Sequence, residues 1–531
     1  MNRIASYFER ELRKSGHYEE VAGWNVYVGD IHNHCGISYG YGSIENAIAF
    51  AKNQLDFFSV TGHFAWPDMV SDTSKLIPPE VIAYHREGFQ KLRKNWPHYL
   101  TCMKESETED CIPFPSFEYH SFEYGDYTIL CRSIDEKLPD PVPDDQADVR
   151  LKVLLSGDES QQEKFLCIPH HIGYRTGYRG INWRLFNARV SPLVEIVSMH
   201  GCAESLEAKN RYLHTMGPRY NQNTYQGGLK QGHHFGVVGS TDHHNAAPGS
   251  YGFGRTVLYA DRLDRNSVWN ALCNRNTAAA TGDPIQTLLY ANGTRAGLVA
   301  PRHNGTIQLE AYVAGYDKLE KVEIIQGSRV IAGKYLFDNE ESSFSGFVSF
   351  MFGWGKKHNP AIWDIEVWAE NGTICDSSPR IRGIDMVDPL DTPNECSSHL
   401  PRYSFVDKKV RLHLITNGNT TATTDTSSGF VLDIEGRKET LIRCKVTLLW
   451  EGSAIEKEYS YSLLSLQNGQ QTEYLNGFVS PAIEVGIFRR RSECCSSIQE
   501  SIHTDSQEAL YLRAYQKNGD GVYTSPISFK G

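Results

Sequence analysis

Residues 29–36 carry the sequence Gly29-Asp30-Ile31-His32-Asn33-His34-Cys35-Gly36. The run before them, residues 24–29, alternates as a β-strand does, and Gly36 ends the pattern. Residues two apart on a strand point to the same side, so His32 and His34 direct two imidazoles at one point in space. Because the strand ends here, we expect that point at an open sheet edge. Two histidines at this spacing also occur by chance. A metal site is therefore predicted only if other parts of the chain supply further ligands.

The composition bounds the class of protein. A chain of 531 residues is too long for one core, which predicts two or three domains. A net charge of -11 and the lack of a long basic run argue against nucleic acid as a partner. No stretch is long enough to span a bilayer, and residues 1–14 lack the apolar core of a signal peptide. We therefore expect a cytoplasmic protein without a membrane partner, whose 12 scattered cysteines are reduced.

Short apolar strands repeatedly end in histidine or acidic residues. Along the chain these are His63 after residues 55–60, Glu118 within 111–120, His170 after 165–169, His200 after 193–198, and Asp242 with His244 after 235–239. Amphipathic helices are predicted between strands at residues 43–51 and 79–94. This alternation predicts an α/β unit, and parallel β/α barrels place their chemistry at the C-terminal ends of their strands.

The pattern changes near residue 285. Helical periodicity largely disappears, and strand-like runs separated by Gly, Asn, Ser and Thr turns follow. These predict an antiparallel β region with one or two sandwich modules over residues 286–531. The α/β unit then occupies residues 24–285, behind an N-terminal helix and connector at 1–23. We expect the β region to be structural or to form a homo-oligomer.

The chemistry of the strand-end residues points to metal ions. The candidate ligands are His32, His34, His63, Glu118, His170, Asp242 and His244. Nitrogen and carboxylate ligands without cysteine suit Zn²⁺, Mn²⁺ or Fe²⁺. A glutamate among several histidines can bridge two ions, so more than one ion is expected.

The ordered motifs resemble those of the PHP (polymerase and histidinol phosphatase) superfamily of metal-dependent phosphoesterases and hydrolases. The matches are His32 and His34 to its His-x-His motif, Thr61-Gly62-His63 to Thr-Asp-His, Glu118 to a strand-borne glutamate, Ile168-Pro169-His170 to Ile-Pro-His, and Asp242-His243-His244 to a closing Asp-x-His. Residues 168–173, 194–204 and 277–285 look similar to an uncharacterised bacterial branch, related to carbaryl-hydrolase-like metallohydrolases of the CehA/McbA type.

This resemblance implies a distorted (β/α)7 barrel that holds two or three divalent ions, followed by the antiparallel β region. By position, the first ion is held by His32, His34, Glu118 and Asp242, the second by Glu118 and His170, and the third by His63 and His244.

Two departures bear on the number of ions. Gly62 stands where the superfamily has an aspartate, and residues 38–40 offer no ligand of the type often found just after the His-x-His motif. A further superfamily histidine downstream of Glu118 has no clear match. Asp126 is the preferred replacement and His120 the alternative.

Other polar residues near the motifs are candidates for substrate binding or catalytic support. They are His171, Arg175, Arg179, His200 and Glu204. Arginine forks suit phosphate or carboxylate groups, whereas both arginines also fit a solvated loop. His171 fits a hydrogen bond within its own loop equally well.

Three functions follow as hypotheses. The first is hydrolysis of a small-molecule ester, with a phosphoester ranked first, by a metal-activated water. The second is hydrolysis of a carbamate, carboxyl ester or amide, which the aromatic residues Tyr39, Tyr41, Phe64 and Trp66 near the first motifs would favour. The third is a metal-stabilised binding or scaffold module without turnover, which Gly62 would favour.

Overall fold

The structure is a computed structural model that describes residues 3–70, 77–139, 151–157, 163–209, 218–336, 344–355, 360–384, 400–417, 426–476 and 480–530. Within these ranges, no helix combines the length and apolar character needed to cross a membrane. All eleven cysteines in the described ranges are free thiols, including the adjacent Cys494 and Cys495, in agreement with the predicted reduced state.

The helices are few and mostly short. They occupy Arg3–Tyr7, Glu9–Ser15, Tyr18–Val21, Ile44–Ala51, Pro79–Ser106, Tyr225–Lys230, Arg265–Cys273, Leu463–Asn468 and Arg491–Cys494, with a 3-10 turn at Asn221–Asn223. Ser43 caps its helix as predicted, because its side chain accepts a hydrogen bond from the Asn46 N–H. The helix predicted at 79–94 continues to Ser106, since Leu92, Trp96, Tyr99 and Met103 extend one buried stripe through Pro97.

The strands of the first half are short. They are β1 (Asn25–Asp30), β2 (Phe57–Phe58), β3 (Thr61–Ala65), β4 (Ile112–Pro113), β5 (Ser116–Tyr119), β6 (Tyr127–Cys131), β7 (Phe165–Pro169), β8 (Leu193–Ser198), β9 (Gly201–Cys202), β10 (Gly236–Gly239), β11 (Arg255–Ala260) and β12 (Thr277–Ala280).

Longer strands dominate the second half. They are β13 (Gln286–Ala291), β14 (Thr294–Arg295), β15 (Val299–Ala300), β16 (Thr306–Ala314), β17 (Leu319–Gln326), β18 (Arg329–Tyr335), β19 (Phe344–Gly353), β20 (Ala361–Glu370), β21 (Thr373–Arg380), β22 (Arg402–Val406), β23 (Lys409–Thr416), β24 (Ser428–Gly436), β25 (Leu441–Trp450), β26 (Ser453–Ser462), β27 (Gln471–Tyr474), β28 (Ala482–Val485), β29 (Arg489–Arg490), β30 (Cys495–His503), β31 (Leu510–Gln516), β32 (Gly521–Thr524) and β33 (Ser528–Phe529).

A nine-stranded sheet joins the two halves of the chain. Its order is β18-β17-β31-β32-β12-β11-β1-β2-β4. Strands β1, β2 and β4 run parallel, and the other neighbours are antiparallel. Strand β32 lies next to β12, so the sheet crosses the domain boundary proposed at residue 285. The N-terminal helices pack on β13 and β16 through a shared apolar cluster.

Two smaller sheets carry most of the candidate ligands. Their orders are β3-β5-β6-β7 and β10-β8-β9. Two-residue breaks separate β2 from β3 and β4 from β5, so each strand pair contributes first to the nine-stranded sheet and then to the four-stranded one. The described strands therefore form separate open sheets, and the closed (β/α)7 barrel that the resemblance implied is not seen among them.

Strands β19 to β29 form a β-sandwich. One sheet has the order β21-β24-β19-β28-β27, with β29 also on β19, and the other has the order β22-β23-β20-β25-β26. Alternate residues of both sheets fill one apolar core, in which Phe350, Trp363 and Leu432 are fully buried. The sandwich begins and ends side by side, because Gly346 pairs with Arg490. Strand β18 before it belongs to the nine-stranded sheet, and the next strand after it, β30, pairs with β16 in the four-stranded sheet β14-β13-β16-β30.

Candidate metal centre

Four predicted ligands converge on one point. The two Nε2 atoms of His32 and His34 are 3.2 Å apart. Asp242 Oδ1 lies 3.4 Å and 3.1 Å from them, and Glu118 Oε2 lies 3.5 Å and 3.4 Å from them. Neighbouring ligand atoms of a tetrahedral ion with bonds of about 2.0–2.1 Å stand about 3.3–3.4 Å apart. The geometry thus matches the space around one divalent ion.

Backbone pairing sets this convergence. The chain after β1 hydrogen-bonds to the loop after β10, with Asp242 N–H donating to the His32 carbonyl and His34 N–H to the His243 carbonyl. The buried carboxylate of Asp30 accepts hydrogen bonds from the Thr241 N–H and hydroxyl and from the Gly249 N–H. Asp242 itself has a φ of 54°, in the left-handed region that a non-glycine residue rarely adopts. The Asp30 contacts hold this loop beside the histidines.

Glu118 lies at the middle of a wider cluster. In the parallel pair β3 and β5, His63 is the register partner of Glu118. Glu118 Oε1 lies 2.5 Å from His120 Nε2 and 3.3 Å from His170 Nε2. Glu118 Oε2 lies 3.7 Å from His63 Nε2. One carboxylate therefore faces several separate groups of imidazoles.

The structure brings all seven predicted ligands together in overlapping groups. The members of each group place one ligand atom apiece within 4.8 Å of one another, and the groups include His32–His34–Asp242, His32–Glu118–His170, His34–His63–His244 and His63–Glu118–His120. Glu118 Oε2, His120 Nδ1 and His170 Nε2 are buried atoms without a hydrogen-bond partner. Buried polar atoms are normally paired, so these unpaired oxygen and nitrogen atoms are suited to bind divalent cations.

Hydrogen bonds orient the imidazole rings. His32 Nδ1 lies 2.9 Å from Glu195 Oε2, and His34 Nδ1 lies 2.8 Å from the Thr61 carbonyl. Both contacts leave Nε2 directed at the shared point, as in metal sites where a carboxylate or carbonyl supports a ligating histidine. The Ser38 hydroxyl lies 2.9 Å from His63 Nδ1, so residue 38 supports a histidine although it is no ligand.

Electrostatics leave Glu118, His170 and His244 in the states that cations require. Burial would raise the pKa of Glu118, but His120, His170 and His63 bring it well below its ordinary value. Burial, with help from neighbouring histidines, lowers the pKa of His170 and of His244 to about 3. Neutral imidazoles and charged carboxylates are the forms that bind metal.

Asp126 and His120, the two candidates for the additional ligand, have different surroundings. Asp126 Oδ2 accepts hydrogen bonds from the Arg179 guanidinium and lies 3.3 Å from His171 Nε2, and Asp126 Oδ1 accepts one from the Ser121 N–H. Burial would raise the pKa of Asp126, but Arg179 brings it well below its ordinary value. Because Asp126 is engaged in this ion pair, the geometry favours His120 as the additional ligand.

The supporting residues divide into three cases. His200 Nε2 lies 3.0 Å from Asp242 Oδ2, so His200 contacts a candidate ligand directly. Glu204 instead accepts hydrogen bonds from the Tyr511 hydroxyl and from Arg513 on β31, which makes it a link to the C-terminal strands. Arg175 has an exposed side chain, and its backbone N–H donates to the Pro218 carbonyl.

Gly62 does not leave the centre short of a carboxylate, contrary to the sequence-based inference. His63 faces the cluster, so the alternation of a strand directs position 62 to the opposite face. A Cβ atom at Gly62 would lie 2.2 Å from Leu92 Cδ1 of the long helix. The glycine therefore serves helix packing.

Aromatic rings cover one side of the centre. The Tyr39 ring stacks on His63 with centroids 3.5 Å apart, and its hydroxyl lies 3.3 Å from His120 Nε2. Trp66 lies 5.4 Å from the His120 ring. Phe64 packs in the core instead. Most of the candidate ligands are buried, but the His244 side chain is 22% exposed and marks the open side.

Sequence reasoning missed two positioning residues. Glu195 and Asp30 are both buried and both contact the His32 region, through the ring and through the backbone. The signal was present for Glu195, since a charged residue inside the apolar run Leu193–Ser198 needs a buried partner.

Comparisons with known proteins add little. No protein-family model matches the chain. It is similar to uncharacterized proteins of Chlamydia muridarum and Chlamydia trachomatis serovar D, with 26% and 27% identity over an alignment of 226 residues. Each match covers 38% of this chain. The match spans 36% of the length of each relative.

One solved structure also shows a similarity. It is a two-domain protein from Bacteroides vulgatus containing a predicted PHP-like metal-dependent phosphoesterase. The two chains are 11% identical with a TM-score of 0.31, over 83% of this chain and 96% of that one. A similarity of this size carries no weight for the fold or activity of the present chain.

Proposed function

We propose that this chain is a PHP-type, metal-dependent hydrolase of a small-molecule ester, with a phosphoester ranked first. The observation that supports the proposal is the convergence of His32, His34, Glu118 and Asp242 at the spacing of a tetrahedral ion, surrounded by further histidines. Buried clusters of this kind are costly to fold without a cation, and such costs are typical of functional sites.

The chain's own residues would hold two or three divalent ions. A bound divalent ion would supply a Lewis acid that lowers the pKa of water toward neutrality and offsets negative charge on a reacting oxygen. His32 and His34 are held as ligands through their Nδ1 contacts, and Glu118 is placed to be shared between ions. His200 steadies Asp242 from the other side.

The choice of a phosphoester rests on charge. The Arg179 guanidinium pairs with Asp126 and lies within electrostatic reach of Glu118, so this ion pair brings positive charge close to the centre. Arg255 donates to the Gly249 carbonyl and to Gln54 Oε1 and is occupied there. Transferring phosphoryl groups need such cationic donors.

A second candidate function rests on the aromatic side of the centre. Tyr39 and Trp66 flank His63 and His120 and would suit the apolar part of a neutral ester or carbamate. This favours carbamate, carboxyl-ester or amide hydrolysis as the alternative. A binding or scaffold role without turnover is the third outcome, and it loses support because Gly62 faces away from the ligands.

The test begins with protein purified without chelator. Elemental analysis should find at least two Zn, Mn or Fe ions per chain. If the folded protein contains no metal and also fails to take up added metal, the proposed metal centre is wrong. Aryl phosphate mono- and diesters, aryl esters and aryl carbamates are then screened side by side with Mn²⁺ or Zn²⁺, and His32→Ala serves as the inactive control. Turnover of esters or carbamates alone would reverse the ranking, and no turnover with metals bound would leave the scaffold function.

A further inference from the structure

The loop that follows β10 lies against the β-sandwich. This loop, residues 240–251, supplies the candidate ligands Asp242 and His244 and is called the ligand loop. It runs beside residues 381–384, which follow the last residue of β21. Hydrogen bonds join the two segments. They run from the Tyr251 N–H to the Ile381 carbonyl, from the Gly383 N–H to the Ser250 hydroxyl, from the Arg382 guanidinium to the Tyr251 carbonyl and from the Asn245 amide to the Ile384 carbonyl.

A glycine allows the two segments to touch. A Cβ atom at Gly383 would lie 2.3 Å from the Cβ of Ala247 and 2.9 Å from Cε1 of the His243 ring. His243 stands between Asp242 and His244 in the chain. A side chain at position 383 would therefore press directly on the neighbours of two candidate ligands.

The apolar core of the sandwich continues into the metal-centre region. Ala247 of the ligand loop and Phe50 of helix Ile44–Ala51 belong to the same buried cluster as Trp363 and Leu414 of the sandwich. The loop and the sandwich thus bury one continuous apolar surface. This burial gives the sandwich a direct hold on the loop, in addition to the hydrogen bonds.

The backbone of the ligand loop depends on such contacts. Asp242 and Ala246 have φ angles of 54° and 50°, in the left-handed region that non-glycine residues rarely adopt. Conformations of this kind persist only where the surrounding structure fixes them. The Asp30 carboxylate holds the loop on the side of β1, and residues 381–384 hold it on the side of the sandwich.

We propose that residues 381–384 position the ligand loop, so that the sandwich controls how tightly Asp242 and His244 bind a divalent ion and with what geometry. Gly383 is a positioning residue, because it acts through the loop and not on the ion. The role requires the metal centre of the proposed function but no particular substrate. An interface that only stabilised the fold would change the free energy of unfolding and leave the coordination of the ion as it was.

Cobalt reports on coordination directly, because the visible absorption of Co²⁺ depends on the number and arrangement of its ligands. The full chain, stripped of metal, is titrated with Co²⁺, and its affinity is measured by competition with a chelator. Gly383→Ala should lower the affinity for at least one ion by about 10- to 100-fold, as the loss of other supporting contacts does. The visible spectrum should change as well, while circular dichroism stays unchanged.

A second substitution tests whether the effect passes through the loop. Ala247→Gly removes the atom that lies nearest to the added Cβ. In the Gly383→Ala background it should restore part of the affinity and return the spectrum toward that of the parent chain. No recovery would show that the added methyl group acts by another route and would overturn the proposal.

Gly372→Ala is the matched control. Position 372 precedes the other end of β21, and a Cβ atom there would lie 2.6 Å from Thr440 Cγ2. The crowding is similar but lies far along the strand from the ligand loop, so Co²⁺ binding should not change. An equal loss of affinity in Gly372→Ala would overturn the proposal, because crowding anywhere in the sandwich would then have the same effect.

Ser250→Ala is a milder variant, which removes only the acceptor of the Gly383 N–H. It should lower Co²⁺ affinity by about 2- to 10-fold, the size expected for one hydrogen bond. Unchanged binding in Ser250→Ala would overturn the proposal even where Gly383→Ala does not fold. Parent-like binding in folded Gly383→Ala would overturn it and leave the metal centre intact. A parent chain that binds no Co²⁺ would overturn the metal centre and the positioning role together.

Discussion

The metal-centre region and the β-sandwich use β-structure in opposite ways. Around the centre the strands are two to six residues long, and charged and imidazole groups are buried where they end. In the sandwich, strands such as β19, β20 and β25 are ten residues long and bury an apolar core. Charges there pair near the surface, as Glu366 does with Lys409 and Arg411. Short strands create many ends at which chemistry can be placed, whereas long strands create stability.

The largest effect on the metal-centre region is expected when the carboxylate of Glu118 is removed. Glu118→Gln loses the charge that faces His63, His120 and His170. We expect the loss of at least one bound ion per chain and a fall in turnover of about 1000-fold or more. Elemental analysis and the substrate screen measure both. The control is Glu366→Gln in the sandwich, which should change neither quantity, and full metal content in Glu118→Gln would contradict the centre as described.

The opposite experiment removes bulk from the sandwich. Trp363 is fully buried, and its Nε1–H donates to the Thr416 hydroxyl. Trp363→Ala should lower the free energy of unfolding by about 3–5 kcal/mol, while metal content per folded chain stays unchanged. Trp368→Ala, on the half-buried face of the same strand, should cost less than about 1 kcal/mol. If chemical denaturation gave the same loss of unfolding free energy for both variants, the two faces of β20 would not differ in their contribution to stability.

A third experiment concerns the pH dependence of metal binding. Burial would lower the pKa of His32, but Asp242 and Glu195 hold it well above its ordinary value, and burial raises the pKa of Glu195 to about 7. Below the pKa of His32 the free ring is protonated, so an ion that binds Nε2 must displace a proton. Metal affinity should therefore rise about tenfold per pH unit until that pKa is reached.

Glu195→Gln sharpens this test. Without the carboxylate the pKa of His32 falls, so the slope near neutral pH should become shallower. The affinity at high pH should fall by about 10- to 100-fold, because the ring loses its orienting partner. Competition with a chelator between pH 6 and 9 measures both effects. An unchanged slope in the variant would refute the coupling between Glu195 and His32.

The smallest effect is expected at Gly62. Gly62→Ala places a Cβ against the flexible tip of Leu92, which predicts a loss at the low end of about 1–3 kcal/mol. Metal content should not change, because the position faces the helix. In a Leu92→Ala background, Gly62→Ala should cost less than it does in the parent chain, and a double-mutant cycle measured by thermal unfolding tests this. A loss of metal in Gly62→Ala would place this residue at the centre after all.

Local sequence signals predicted which side chains would lie together. The residues that follow β1, β7 and β10 meet because the direction of each strand fixes where the chain continues. The sequence could not reveal Glu195 as the partner of His32, since that contact joins residues 163 apart. The role of Gly62 was also hidden, because it depends on which helix packs behind the strand.

Topology was harder to predict than strand content. The antiparallel character of the second half was evident from its turns and alternation. The pairing of β32 with β12, and of β17 with β31, is set by long-range packing that no local pattern records. The open sheets differ from the implied barrel for a related reason. The breaks after β2 and β4 fall inside residues 55–60 and 111–120, which the sequence presents as continuous strands.

The pairing of Gly346 with Arg490 has a consequence for the ancestry of the molecule. Because the chain leaves and returns at neighbouring points, the sandwich is a cassette that a single genetic event could add or remove. If the sandwich were removed, one short linker could join the two chain ends, and the order and pairing of the other strands would be unchanged. Relatives that lack the cassette would still align on both flanks, with their numbering displaced by its length.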